Sequence, residues 1–414
     1  MARAITADAA GAGMLPRSVH TPLLRVAQVG ESRAAAQGGL AAAFTQLSNT
    51  LSRLGAGVSV VTLDEHRSGA REWPLDPAVE TTVCGTAGPR RAGYARDMAG
   101  ALSAFAPDVV HVHGLWRLHY RQAARYARDR GVPLVISVHG MLHERALKQR
   151  PWAKRLARHV FQDAVLRSAA CLHATADDEA GEIERLGLSR PIAVVPWGVP
   201  LPDDETVRAA RAAREHGERT LLFLGRIHAS KGLESLLRAW ARVSPAAPRW
   251  RLRLAGPDEG GYGSLLETLA RELGVRERVV FSGPVEGAAR EEAFASADVL
   301  VLPSPAENFG FVVPEALVRG IPVIATHGSP WPLLTSERCG WWVEADDRAL
   351  EQSLADAVGS EIGSLRSMGL RGRAMARTRF AWDTAGHSMM SLYEWVLARR
   401  PAPPFVTSVP SFTK

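Results

Sequence analysis

Residues 220–240 read TLLFLGRIHASKGLESLLRAW. The apolar run Thr220–Leu224 suits a strand buried on both faces, Gly225 permits a tight turn, and Lys231-Gly232 opens an amphipathic helix. Arg226 and Lys231 flank the short loop between them. Both cations can therefore converge on one anionic group, and a helix N-terminus adds N–H donors and a favourable dipole. A strand, a glycine-bearing loop and a helix form the repeating unit of a parallel sheet covered on both faces.

The same unit recurs in both directions. Downstream, strands are expected at Arg251–Ala255, Val279–Phe281, Val299–Pro303, Pro322–Ala325 and Trp341–Val343. Upstream they are expected at Leu23–Val29, Val58–Leu63, Val109–His113, Pro133–Val138, Ala170–Ala174 and Ala193–Val195, with helical stretches at Leu40–Leu54, Arg117–Arg130 and Asp177–Leu186. The alternation breaks at Val195-Pro-Trp-Gly-Val-Pro200, and a charged helical stretch, Asp203–Glu218, follows. The chain thus divides into an Ala/Gly-rich leader (1–21), a first Rossmann-like domain (22–198), a second (199–380), a terminal helix (381–400) and a Pro-rich tail (401–414). Leader and tail are expected to be disordered. The fold class is α/β, with two doubly wound parallel-sheet domains facing a cleft.

Composition bounds the function. The 414 residues suffice for two to three domains, and 46% hydrophobic with 22% charged residues excludes wholesale disorder. Fifty Lys+Arg against 43 Asp+Glu leave a net charge of +7, which suits nucleic acid, a phosphate-bearing substrate or an anionic membrane. Nucleic acid is disfavoured, since no recognised module occurs and the basic groups are scattered. Three separate cysteines (Cys84, Cys171, Cys339) with no C-x-x-C pair argue against zinc and disulfides and fit a reducing cytosol. No Walker loop occurs, and no Gly-x-Gly-x-x-Gly supports a dehydrogenase.

In open parallel sheets, ligands bind beyond the carboxyl ends of the strands. Those positions carry Gly38-Gly39, His113-Gly114, His139-Gly140, Gly225-Arg226, Gly256-Pro257-Asp258, Ser282-Gly283, Ser304–Glu315 and Thr326–Trp331. Within SPAENFGFVVPEALVRGIPVIAT (304–326), Glu307 and Glu315 stand eight residues apart. Pro314 suits the first turn of a helix expected over Pro314–Arg319. The amides of Phe309, Gly310, Phe311 and Val312 would then be free for an anion, and Glu307 would face the crevice as a hydroxyl acceptor. His111 and His113 alternate on one strand and are read as pointing to opposite faces, with His113 the one at the crevice. Trp116 is a further acceptor-side candidate, although packing competes with that role. His143 is read as a surface residue at a helix start, Asp258 as a loop cap, and Ser329-Pro330-Trp331 as a contact for base or sugar. Arg145–Arg167 holds seven Lys or Arg and one acid, with Trp152, Leu156, Val160 and Phe161 interspersed. It suits either an anionic bilayer or packing on the first domain with a solvated basic face.

The pairing of Gly225-Arg226…Lys231-Gly232 with Glu307…Glu315, inside two tandem Rossmann-like halves, resembles the retaining glycosyltransferases of family 4, which have the GT-B fold. The likeness spans roughly residues 22–400. It implies that Arg226 and Lys231 bind the donor diphosphate, Glu307 lies by the transferred sugar, and Glu315 holds the nucleotide ribose. It further implies that Gly38-Gly39 approaches the donor phosphate, His139 lies near the donor sugar, and the terminal helix crosses back onto the first domain. Gly225, Gly256, Gly283, Phe309, Gly310, Phe311 and Val312 complete the expected donor site, with His139, Glu307, Arg226 and Lys231 as the catalytic set. No Asp-x-Asp occurs, so no metal or other cofactor is expected; cations and helix N-termini would neutralise the leaving diphosphate. The expected activity is retaining transfer of a hexose from a UDP- or GDP-sugar to a glycan or polyprenyl-linked saccharide in exopolysaccharide assembly, in the cytoplasm or at the inner face of the plasma membrane. The alternatives are an inactive nucleotide-sugar-binding scaffold or another GT-B enzyme, such as a nucleotide-sugar epimerase.

Overall fold

The computed structural model describes residues 24–34, 38–64, 71–148, 150–212 and 217–407. The expected leader, Gln37 and the last residues of the tail lie outside that set. Fourteen strands build two sheets. The first sheet uses β1 (Arg25–Val29), β2 (Gly57–Leu63), β3 (Glu80–Cys84), β4 (Val109–His113), β5 (Leu134–Ser137), β6 (Cys171–Ala174) and β7 (Ile192–Val194). The second uses β8 (Arg219–Leu224), β9 (Trp250–Ala255), β10 (Val279–Gly283), β11 (Val299–Leu302), β12 (Val323–Thr326) and β13 (Gly340–Val343). A last strand, β14 (Val406–Thr407), returns to the first sheet. A two-residue hairpin, Thr86–Ala87 with Tyr94–Ala95, stands apart.

The orders are β14-β7-β6-β5-β4-β1-β2-β3 and β10-β9-β8-β11-β12-β13, parallel throughout except at β14. Each sheet reverses direction once, between β1 and β4 and between β8 and β11. These are the topological switch points where doubly wound sheets hold their ligands. Central strands such as β4 (VVHVH) and β11 (VLVL) are fully buried; β11 is a continuous apolar run, whereas β4 takes two histidines into the interior.

Several expectations need correction. The stretch Glu80–Cys84 is a strand although it alternates little and is mostly exposed; as the sheet edge it has one neighbour and no need of an apolar run. The described part of the tail is ordered: Val194 N–H donates to Phe405 O, and Val406 pairs with Ala193. The helix containing Glu315 runs Val312–Val318, starting two residues earlier than expected. Arg145–Arg167 is not one helix. It is broken into Glu144–Lys148, Pro151–Ala157, a π-turn at Arg158–Gln162, and Asp163–Ser168.

The terminal helix, Trp382–Val396, packs on the first domain's opening helix, Gly39–Arg53, where a Cβ on Gly386 would strike Thr50 and Leu54. The chain passes between domains twice at one place. Val199 N–H donates to Phe380 O at 2.7 Å, and a Cβ on Gly198 would lie 2.5 Å from Trp382 Cα. No helix among the described residues is long and apolar enough to cross a membrane.

Candidate active site

A cleft of about 470 Å³ opens between the domains at the carboxyl ends of both sheets. The second domain contributes Arg226, Lys231, Glu307, Asn308 and the turn Gly328–Pro330; the first contributes Gly140, His143, Arg145, Asp178, Glu182 and Arg185. A second hollow, lined by Phe294, Ile321 and Leu365 with Glu291 and Arg319 at its wall, lies at the amino ends of β11 and β12, away from the carboxyl ends where ligands bind.

Lys231 is delivered by a single 3-10 turn, Ala229–Lys231, capped by the His228 ring accepting from Ser230 N–H. Gly232 follows at φ 70°, and a Cβ there would lie 2.3 Å from Pro303 O. Only glycine lets the turn approach the end of β11 so closely. That approach sets Lys231 Nζ 2.5 Å from Glu307 Oε1, with both side chains largely buried. Arg226 lines the same cleft but is more exposed and pairs with Glu259 at 2.5 Å. Each cation is thus held by its own carboxylate rather than by a shared group.

Glu315 does not line the cleft; Arg290 holds its carboxylate at 2.6 Å. The amides of Phe309, Gly310, Phe311 and Val312 donate to no protein group among the described residues. Phe309 is buried, and its carbonyl accepts from Trp331 Nε1, so Trp331 serves the core rather than a base or sugar. Phe311 reaches the other domain, where a Cβ on Gly39 would lie 2.9 Å from its ring. Gly38, at φ 70° and ψ −147°, turns the chain into the helix that begins at Gly39. Gly225, Gly256 and Gly283 do not line the cleft. They stack backbone on backbone, Gly225 N–H to Ala255 O and Gly256 N–H to Gly283 O, with no room for a Cβ on Gly256. Asp258 caps the next helix by accepting from Gly263 N–H.

The first domain corrects the histidine reading. Residues two apart on a strand share a face, and the rings of His111 and His113 lie 4.0 Å apart on the same side of β4. Neither faces the crevice; both are buried. His113 instead bonds His139 at 3.3 Å and Gln28 at 2.5 Å. Trp116 is not an acceptor platform on the cleft either. Its backbone N–H donates to Gln162 Oε1, and Lys154 stands over its ring.

His139 follows β5 at φ 52°, stacked on Trp197 at 5.5 Å. The strained turn is held by Glu179, a buried carboxylate that accepts from Gly140 N–H, Thr175 N–H and Thr175 Oγ. Burial lowers the His139 pKa to about 3, with His173 adding repulsion. Burial also lifts the Glu179 carboxyl, against those three hydrogen bonds. Asn308 of the second domain closes the contact, 2.7 Å from where a Gly140 Cβ would stand.

The helix expected over Asp177–Leu186 runs Asp177–Glu184 after β6, and what the sequence reading missed is its place at the cleft wall, to which it brings Asp178 and Glu182. The rule applied to the other strand ends would have found it. Burial and repulsion from Glu179 raise the Glu182 pKa to about 7. His143 does sit at a helix start, yet it also lines the cleft, 3.6 Å from Glu182.

Two cations and a buried carboxylate on the cleft wall can hold a diphosphate and the sugar attached to it; the free amides of 309–312 and His139 do not line the cleft themselves but adjoin its residues Asn308 and Gly140. The family models agree with that arrangement. A glycosyl transferase 4-like domain matches residues 38–198, and a glycosyl transferases group 1 domain matches residues 204–374. The chain belongs to the family-4 glycosyltransferases. It is 30% identical to a D-inositol 3-phosphate glycosyltransferase of Xylanimonas cellulosilytica, over 93% of this chain and 97% of that one. A second relative of the same name, from Catenulispora acidiphila, is 34% identical over 75% of this chain and 78% of that one. Among solved structures, sucrose-phosphate synthase from Thermosynechococcus elongatus superposes with a TM-score of 0.72 at 21% identity, covering 91% of this chain and all of that one. Anabaena HepE, solved with UDP and glucose, gives 0.67 at 17% identity, covering 90% and 100%. These likenesses identify the fold as GT-B and the chain as a glycosyltransferase.

Proposed function

We propose that this glycosyltransferase moves a hexose, with retention and without a divalent metal, from a nucleoside-diphosphate sugar to a hydroxyl acceptor. The Lys231–Glu307 pair at the second domain's switch point carries the reading. A diphosphate arriving there meets Lys231 and Arg226, with the unpaired amides of 309–312 next in the chain after the cleft residue Asn308, and these can offset the charge that develops on the leaving group. Glu307 is then released to the sugar, and His139 approaches from the first domain. Glu315 is assigned to the ribose by resemblance alone, with Arg290 beside it.

For the acceptor, a glycan or lipid-linked saccharide of a cell-surface polysaccharide is the first reading. It is supported by an exposed stripe of Trp152, Leu156 and Val160 among Lys148, Arg150 and Arg155, which suits peripheral contact with an anionic membrane from the cytoplasmic side. A phosphorylated polyol is the second, favoured by the names of the relatives and by Arg145 and Arg185 on the acceptor wall.

The deciding experiment screens the purified full chain for nucleoside diphosphate release. UDP- and GDP-hexoses are paired with oligosaccharide, polyprenyl-linked and inositol-phosphate acceptors, with and without EDTA. Release with one donor–acceptor pair, unchanged by EDTA and yielding the retained anomer, is expected. Activity lost in EDTA and restored by a divalent metal would overturn the metal-free mechanism; binding without release would favour a scaffold.

A further inference from the structure

Four histidines of the first domain and one tyrosine of the terminal helix form a single hydrogen-bonded line. His173 Nε2 meets Val195 O at 2.8 Å, and His173 Nδ1 meets Ser137 Oγ at 2.6 Å. Ser137 Oγ meets His111 Nε2 at 2.7 Å, and His111 Nδ1 meets Tyr393 Oη at 2.7 Å. Tyr393 Oη meets Gln28 Nε2 at 3.1 Å, Gln28 Oε1 meets His113 Nε2 at 2.5 Å, and His113 Nδ1 meets His139 Nε2 at 3.3 Å.

The line has one direction, because a carbonyl can only accept. Val195 O requires a proton on His173 Nε2, so the neutral ring's Nδ1 accepts from the Ser137 hydroxyl. Having spent its only proton there, Ser137 accepts from His111 Nε2–H. His111 Nδ1 must then accept from Tyr393 O–H, and the tyrosine oxygen accepts from the Gln28 amide. That orientation turns Gln28 Oε1 to His113 Nε2–H, which leaves His113 Nδ1 to accept from His139 Nε2–H. At the end, His139 Nδ1 carries a bare lone pair. It is buried and has no partner among the described residues. The rings stay neutral because burial and their mutual repulsion disfavour the cation.

We infer that Tyr393 is a positioning residue, which through Gln28 and His113 locks His139 as the Nε2–H tautomer and keeps Nδ1 as an acceptor for a hydroxyl of the bound sugar or its acceptor. This rests on the reading that His139 lies at the reaction centre. Without the tyrosine hydroxyl the Gln28 amide is free to reverse. The remaining His113–His139 pair could then donate in either direction.

The test uses the full chain labelled with ¹⁵N-histidine, whose protonated and bare ring nitrogens resonate far apart. His139 is assigned by the signal lost in His139→Gln. In the wild type at neutral pH, Nε2 is expected to be protonated and Nδ1 bare. Tyr393→Phe should mix or reverse that pattern and lower kcat about tenfold, the equivalent of one hydrogen bond, with the donor KM within about twofold. A protonated Nδ1 in the wild type overturns the inference, and this measurement requires only the assignment variant His139→Gln to fold, not Tyr393→Phe. An unchanged tautomer and kcat in folded Tyr393→Phe overturns it equally. The spectrum is independent of turnover, so the expected tautomer in a chain that transfers no sugar would remove the functional reading and leave the relay standing.

Discussion

The two switch points solve one task with opposite chemistry. In the second domain, between β8 and β11, the working groups are formal charges. Lys231 pairs with Glu307 and Arg226 with Glu259, each at 2.5 Å. Such pairs can exchange partners when an anion arrives. In the first domain, between β1 and β4, the groups are neutral and buried, and each hydrogen bond constrains the next. One half is built to trade partners and the other to keep them. Substitutions should therefore act directly on turnover in the second domain, and in the first on stability and pH response, with turnover affected only through His139.

The hardest blow to the charged half is Glu307→Ala. Transfer should fall about 10²–10³-fold, as when one stabilising group is removed from a reaction centre. Nucleotide affinity, read by calorimetry, should change little. Full activity would remove Glu307 from the site. Lys231→Ala should lower kcat/KM about ten- to hundredfold, the loss of one charge-assisted phosphate contact; unchanged turnover would sink that role for Lys231.

In the neutral half, acid is the probe. Burial holds the folded pKa of His139 near 3 and of His173 near 4, against an ordinary 6.5. Between about 6.5 and 4 the unfolded chain binds more protons, so this stability is whole above 6.5 and is lost as pH falls. From pH 7 to 5 the loss is about 2 kcal/mol for each of these histidines. Glu182, raised to about 7, opposes it by gaining stability as it protonates. Urea midpoints at the two pH values should show a net fall, because His111 and His113 are depressed as well. An unchanged midpoint would mean that the cluster opens to water. The smallest effect on turnover and stability belongs away from both switch points. Trp152→Glu should abolish flotation with anionic vesicles yet alter turnover on soluble acceptors less than about twofold and stability by less than about 0.5 kcal/mol. Retained flotation would exclude that stripe as the contact.

The same division explains what could be read from the sequence. Buried parallel strands announce themselves as apolar runs, so Thr220–Leu224 and Val299–Pro303 lie within a residue of β8 and β11. Lys231, Glu307 and Arg226 were legible because their loops follow those strands directly. The edge strand Glu80–Cys84 was not legible, since one neighbour and partial exposure leave no apolar signature. Nor was the relay: Gln28 and Tyr393 are 365 positions apart, and only the returning helix brings them together. His111 and His113 were misread by a parity error, which the strand's period of two corrects.

The terminal helix has a consequence for how the molecule is made. It buries Trp382, Ala385, Met389, Leu392 and Tyr393, with Tyr393 seated among first-domain side chains. β14 then closes the outer edge of the first sheet. The first domain is therefore assembled from both ends of the chain, while the second sheet is one uninterrupted stretch, 219–343. During synthesis from the N-terminus, the half that leaves the ribosome first must wait for residues 382–407, and the half made later can complete its sheet before it.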